Sequence, residues 1–162
     1  MSKHSLVNLL KELRLESFDY DCFEFSVSPP DGLEAFQVGY AVDPSGNSLC
    51  GTAEGDWRPN WMVIAQDFSG DPVFVDLDLP NTPVLTALHG AGAWSPWDIA
   101  PSLPAFARLL RGAQALASGR DSPVALESNP MTDDERDKFQ ALVEANGGNP
   151  DYWLAMFQDL GE

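Results

Sequence analysis

The chain has 162 residues, 44% of them hydrophobic, and its 25 acidic against 9 basic side chains give a formal net charge of -16 at neutral pH. That length and apolar content suffice for one domain, spanning 1–162, whose core needs neither metals nor disulfides. The negative surplus repels phosphate backbones and so argues against nucleic acid as a direct partner.

Along the chain, "SLVNLLKELRL" places Leu6, Leu9, Leu10 and Leu13 at helical spacing with Ser5 as N-cap, which predicts a first short helix. "FDYDCFEFSVS" alternates with period two and reads as a strand, broken by the turn "SPPDG". "LEAFQVGYAVDPSGNSLCG" reads as a second strand, a DPSGN turn and a short return. From Trp61 onward, "WMVIA", "PVFVDLDL" and "VLTALHG" are three short strands separated by the turn-rich stretches "QDFSGD" and "PNT". Connections that short predict an antiparallel meander, with "GAGAWSPWDIAPS" as a loop after it.

The period then becomes helical. Ser102 caps a helix with Pro104 in its tolerant first turn and a buried stripe of Leu103, Phe106, Leu109, Leu110, Ala113 and Leu116. Gly119 and Pro123 end it, and a connector leads to "TDDERDKFQALVEANGG", where Thr132 and Glu135 form a capping box and Gly147 is the stop. In "NPDYWLAMFQDL", Asn149 is a cap, Pro150 the first helical residue, and Trp153, Leu154, Met156, Phe157 and Leu160 a docking face. The expectation is an α+β fold: an antiparallel or mixed sheet of about five to six strands flanked by helices, with residues 121–162 a helical C-terminal region.

The two cysteines, Cys22 and Cys50, are too few for a disulfide framework and point to a reducing, cytoplasmic setting. No apolar core of signal-peptide length opens the chain and no run approaches membrane length, so no membrane association is expected. The acids gather at the two ends: residues 1–60 carry 10 acids and 4 bases, residues 61–120 carry 5 and 3, and residues 121–162 carry 10 and 2. A field of that sign steers a basic protein partner, although it also serves plain solubility.

"IAQDFSGDPVFVD" raises the sharpest chemical question. Asp67, Ser69, Asp71 and Asp78 fall on positions 1, 3, 5 and 12 of a calcium loop, but Pro72 stands where that loop needs glycine. A hairpin turn, with Ser69-Gly70 at its corner and the Asp side chains bonding turn amides, accounts for the residues better, and no metal is expected. His4 and His89 are too few for a histidine metal centre. His89 with Asp98 is a conceivable orienting dyad, and a small hydrolase using Asp67 or Asp71 with His89 is an alternative, yet no serine or cysteine sits in a G-x-S-x-G context. No phosphate-cradling glycine motif is present, so no cofactor is expected. Trp57, Trp61, Trp94 and Trp97 surround the strands, and tryptophan in a loop beside acids is how protein-binding anchors are often built. Core filling is the competing use of the same rings.

Residues 61–110 carry a family resemblance. Trp61 to Ala65, Gly70-Asp71, Val73 to Asp76, Pro83-Val84, His89-Gly90, Trp94 and the "IAPSLPAF" helix start, in that order, resemble the SMI1/KNR4 family of the SUKH superfamily. The first sixty residues lack that family's Leu-rich, Asn-Gly-Gly opening. The resemblance implies an α+β domain that binds protein without catalysis: bacterial relatives resemble immunity proteins that neutralise toxins, many of them nucleases, and fungal ones resemble regulatory interaction modules. The expected partner is a protein, a basic toxin domain on the immunity reading, contacted through Trp57, Asp67, Asp71, Asp76, His89, Trp94 and Trp97, with no catalytic residue to carry over. A regulatory or scaffold module is the alternative.

Overall fold

The structure is a computed structural model and describes residues 1–158. Helix α1, Lys3–Leu13, buries Leu6 and Leu10. Its N-cap is Ser2, whose hydroxyl accepts from the Ser5 N–H at 3.0 Å, one turn earlier than the expected cap at Ser5. The next run is two strands rather than one. Asp21 takes a left-handed conformation (φ 54°), so β1 (Phe18–Tyr20) folds back on β2 (Phe23–Val27) with Tyr20 opposite Phe23.

Between Ser28 and Asn60 the expected second strand is absent. A 3-10 turn at Pro30–Gly32 leads into the short helix α2, Leu33–Phe36, and Gln37 explains what the segment does. Its buried amide donates to the Val63 carbonyl at 2.9 Å and accepts from the Val63 N–H at 3.0 Å. One side chain thus takes the place of a neighbouring strand where the β2 pairing has run out, keeping buried backbone groups satisfied. The DPSGN turn forms as expected: Asp43 accepts from the Ser45 and Asn47 amides at 2.9 and 2.8 Å, with Gly46 at φ 84°.

The three expected strands of the meander are β3 (Trp61–Gln66), β4 (Pro72–Asp76) and β5 (Val84–Thr86). A further strand, β6 (Trp97–Ala100), lies in what the sequence marks as loop. The sheet runs β1-β2-β3-β4-β5-β6 in space as in sequence, each pair antiparallel. Both faces of its centre are covered. Ile64, Val73, Val75 and Val84 point into the larger core with α1 and α3, while Val63, Phe74 and Leu85 point into a second core with Tyr40 and Trp57. Double burial is why β3 and β4 read as apolar runs instead of alternating ones.

Helix α3, Leu103–Ala117, lies in the larger core, capped by Ser102 and carrying Pro104 in its first turn. The expected connector holds another helix, α4 (Pro123–Ser128), capped by Ser122. Helix α5, Asp133–Ala145, has the reciprocal Thr132–Glu135 capping box. The last expected helix is shorter: α6, Pro150–Trp153, passes into a 3-10 turn, Ala155–Phe157. Trp153 and Phe157 dock in the core; Leu160, the end of the expected docking face, lies outside the described residues. No helix among the described residues is long and apolar enough to cross a membrane.

Candidate functional site

The β3–β4 turn organises one end of the sheet. Asp67 begins it, and its Oδ1 accepts from the backbone N–H of Ser69 and of Asp71, each at 3.0 Å, while Gly70 takes the positive-φ corner (79°). This is the turn chemistry expected of the sequence. Asp71 then points the other way: its Oδ1 receives the His89 backbone N–H at 2.8 Å and lies 2.6 Å from His89 Nδ1. Asp71 is buried, whereas the His89 ring is half exposed. The dyad conceived from sequence is therefore corrected: His89 is oriented by Asp71, and exposed Asp98 instead offers its backbone carbonyl to Asn149 at 3.2 Å.

The second oxygen of Asp67 reaches across 85 residues to the Tyr152 hydroxyl, which donates to it at 3.2 Å. Burial pushes the Asp67 carboxyl above its ordinary value, opposed by the amide and hydroxyl donors around it. Burial, reinforced by the Asp67 charge, raises the Tyr152 phenol well above 10, which keeps it a proton donor. An acid whose folded pKa is raised contributes most stability when protonated, and that contribution is lost as pH rises through the folded value. Asp67→Asn removes the titration while leaving an oxygen for the turn amides. The expected result is a melting temperature at pH 7 at least equal to that of the parent, with a flatter fall in stability from about pH 4 upward. Thermal melts across that range check it; an unchanged pH slope with a large loss at pH 7 would contradict it.

Beside this turn opens a groove of about 850 Å³. One wall is the β1–β2 hairpin with Asp21 and Phe23, another is Leu88 and Trp97, and the C-terminal residues Asp151, Tyr152 and Met156 close the third side. Phe68, an apolar residue within a polar turn, packs among Phe18, Tyr20, Phe23, Phe25 and Phe157 at centroid separations of 5.6 to 6.4 Å and lines the groove. Its presence in "QDFSGD" is the one local signal for this wall. Tyr152 carried no such signal, because its partner is remote in sequence.

No family model, curated protein or solved structure matches the chain.

The seven candidate residues separate into three places. Asp67, Asp71 and Trp97 line the groove and His89 sits behind Asp71. Trp57 does not present a surface: it is 1% exposed, packed 4.8 Å from Phe74, 5.1 Å from Trp94 and 5.2 Å from Trp61. Trp94 is half-buried in the same cluster, held by its N–H to the Gly55 carbonyl at 2.8 Å. Here core filling wins over anchoring, because the second face of the sheet needs a cover that the loops alone cannot give. Asp76, at the far end of β4, accepts from Asn60, the Trp61 indole and the Asp78 amide, and so serves a turn. Among the described residues no cluster of three His, Cys, Asp or Glu side chains is placed to hold a metal ion.

Proposed function

We propose that this chain is a non-catalytic, cytoplasmic protein-binding domain of the SMI1/KNR4 type, acting as an immunity-type protein that neutralises a basic partner toxin. The observation that carries the reading is the groove. Among the described residues four aspartates, Asp21, Asp67, Asp71 and Asp151, line it with no Lys or Arg, while apolar side chains at its rim stay exposed. Exposed apolar surface ringed by charge of one sign suits a protein partner of the opposite sign. Asp67 is held by three internal donors, and the Asp71–His89 pair has no serine or cysteine in a G-x-S-x-G context to activate, which favours a binding role.

The test is capture with the full chain from its source cell, followed by co-expression of the recovered protein with and without this one. Recovery of a basic protein that arrests growth alone and is silenced by this chain is the expected outcome. A partner that is harmless by itself would overturn the immunity reading in favour of a regulatory module.

A further inference from the structure

We infer that the groove receives a protruding loop of the partner protein, with one arginine of that loop seated between the carboxylates and the aromatic rings. The inference rests on the binding reading above and adds the chemistry of the contact. Carboxylates and aromatic side chains meet in one cavity: Asp21 and Asp151, whose carboxylates have no internal hydrogen bond among the described residues, line it with Phe68, Tyr152 and the partly exposed Trp97. Such a lining favours a cation with a flat apolar face, because carboxylates supply the counter-charge and ring faces attract the cation directly. Guanidinium meets both demands, since it forks onto a carboxylate and stacks on a ring, whereas ammonium is a strongly hydrated point charge.

The occupant is a protein loop rather than a small free cation for two reasons. At about 850 Å³ the groove is larger than one side chain requires. The rim also carries Phe23, Leu88 and Trp97 at 37%, 56% and 37% exposure, apolar surface that a small cation leaves wet and a peptide covers. A second copy of this chain is a poor occupant, because each copy carries a formal charge of -16.

The experiment is a two-dimensional amide NMR titration of the full chain with the blocked tripeptide acetyl-Ala-Arg-Ala-amide and its citrulline counterpart, which keeps the shape and removes the charge. Shifts are expected at the Asp67–Asp71 turn, the Trp97 indole and Tyr152, with the citrulline peptide at least about tenfold weaker. The side chains of Asp21 and Asp151 make no hydrogen bond among the described residues, so the double variant Asp21→Asn/Asp151→Asn keeps the fold; it is expected to weaken the arginine peptide about fivefold. Equal response to both peptides, or shifts confined to other surfaces, overturns the inference. Equally strong binding of guanidinium ion alone overturns the loop as occupant. If a basic toxin is still neutralised while the groove ignores the arginine peptide, the contact chemistry fails and the immunity reading stands. If the peptide binds but no toxin is neutralised, the reverse holds.

Discussion

Replacing Arg120 by methionine is expected to cost about 3 to 5 kcal/mol of stability, far more than replacing its charged partner Glu135 by glutamine. Arg120 is 3% exposed and gathers the end of α3 and the α4–α5 connection around its guanidinium. It donates to the Leu116 carbonyl and the Asn129 carbonyl, both at 2.7 Å, to the Pro130 carbonyl at 3.4 Å, and to Glu135 at 2.8 Å. Its own carbonyl accepts the Asp21 N–H at 2.7 Å, which ties the β1–β2 turn, and hence a wall of the groove, to the helices. Methionine fills much of the volume but strands several carbonyls, whereas Glu135→Gln leaves every carbonyl bond intact. Glu135 is a third exposed, and solvent screens much of what its charge contributes. Its carboxyl is held below the usual value, first by the Thr132 amide and then by Arg120. The support it gives is thus complete above the ordinary carboxylate pKa near 4.5 and is lost as pH falls through the lower folded value. Urea denaturation of both variants at pH 7 measures the difference. Equal losses would mean that the ion pair, not carbonyl collection, is what Arg120 provides.

Trp153→Ala is the second large loss, about 3 to 5 kcal/mol, and with it a fall in melting temperature on the order of 10 °C. The ring is fully buried, 5.8 Å from Phe106, and its indole N–H donates to the Ile99 carbonyl at 2.8 Å. Alanine leaves a cavity and removes one of the two hydrogen bonds on the Ile99 carbonyl, which keeps only the Asn149 N–H at 3.2 Å. The local consequence exceeds the global one, because Tyr152 and Met156 flank Trp153 and line the groove. Trp153→Phe refills most of the cavity without restoring the bond, so it is expected to recover about half of the loss. Calorimetry of the two variants gives the comparison; a Phe variant as unstable as the Ala variant would assign the effect to the indole hydrogen bond alone.

The sequence made some of this legible and hid the rest for physical reasons. β3, β4 and β5 were readable because burial on both faces writes continuous apolar runs between strong turn residues. The β1–β2 hairpin looked like one strand because its corner is Asp21, a residue that rarely takes positive φ, in place of glycine. β6 was hidden because only Ile99 and Ala100 of its four residues are buried. α4 carries one readable signal, Ser122-Pro123, which repeats the cap-and-proline start at Asn149-Pro150, but its six residues bury no side chain and so write no apolar helical period. At the candidate site the Asp67–Asp71 turn was local and readable. The Asp71–His89 and Asp67–Tyr152 contacts were not, since no periodicity connects residues 18 and 85 positions apart. The tryptophans divided between core and surface, a choice that depends on where the second face of the sheet finds its cover.

Every strand pairs with its neighbour in sequence, so the sheet can assemble progressively as the chain leaves the ribosome. The groove cannot. Its walls come from residues 20–23, 67–71, 88, 97, 126 and 149–158, which join the earliest strand to the last described helix. A nascent chain arrested before Asn149 would already hold its six strands and still have no receptacle. The groove therefore forms only once residues 149–158 have been made and docked, and a shorter chain lacks it.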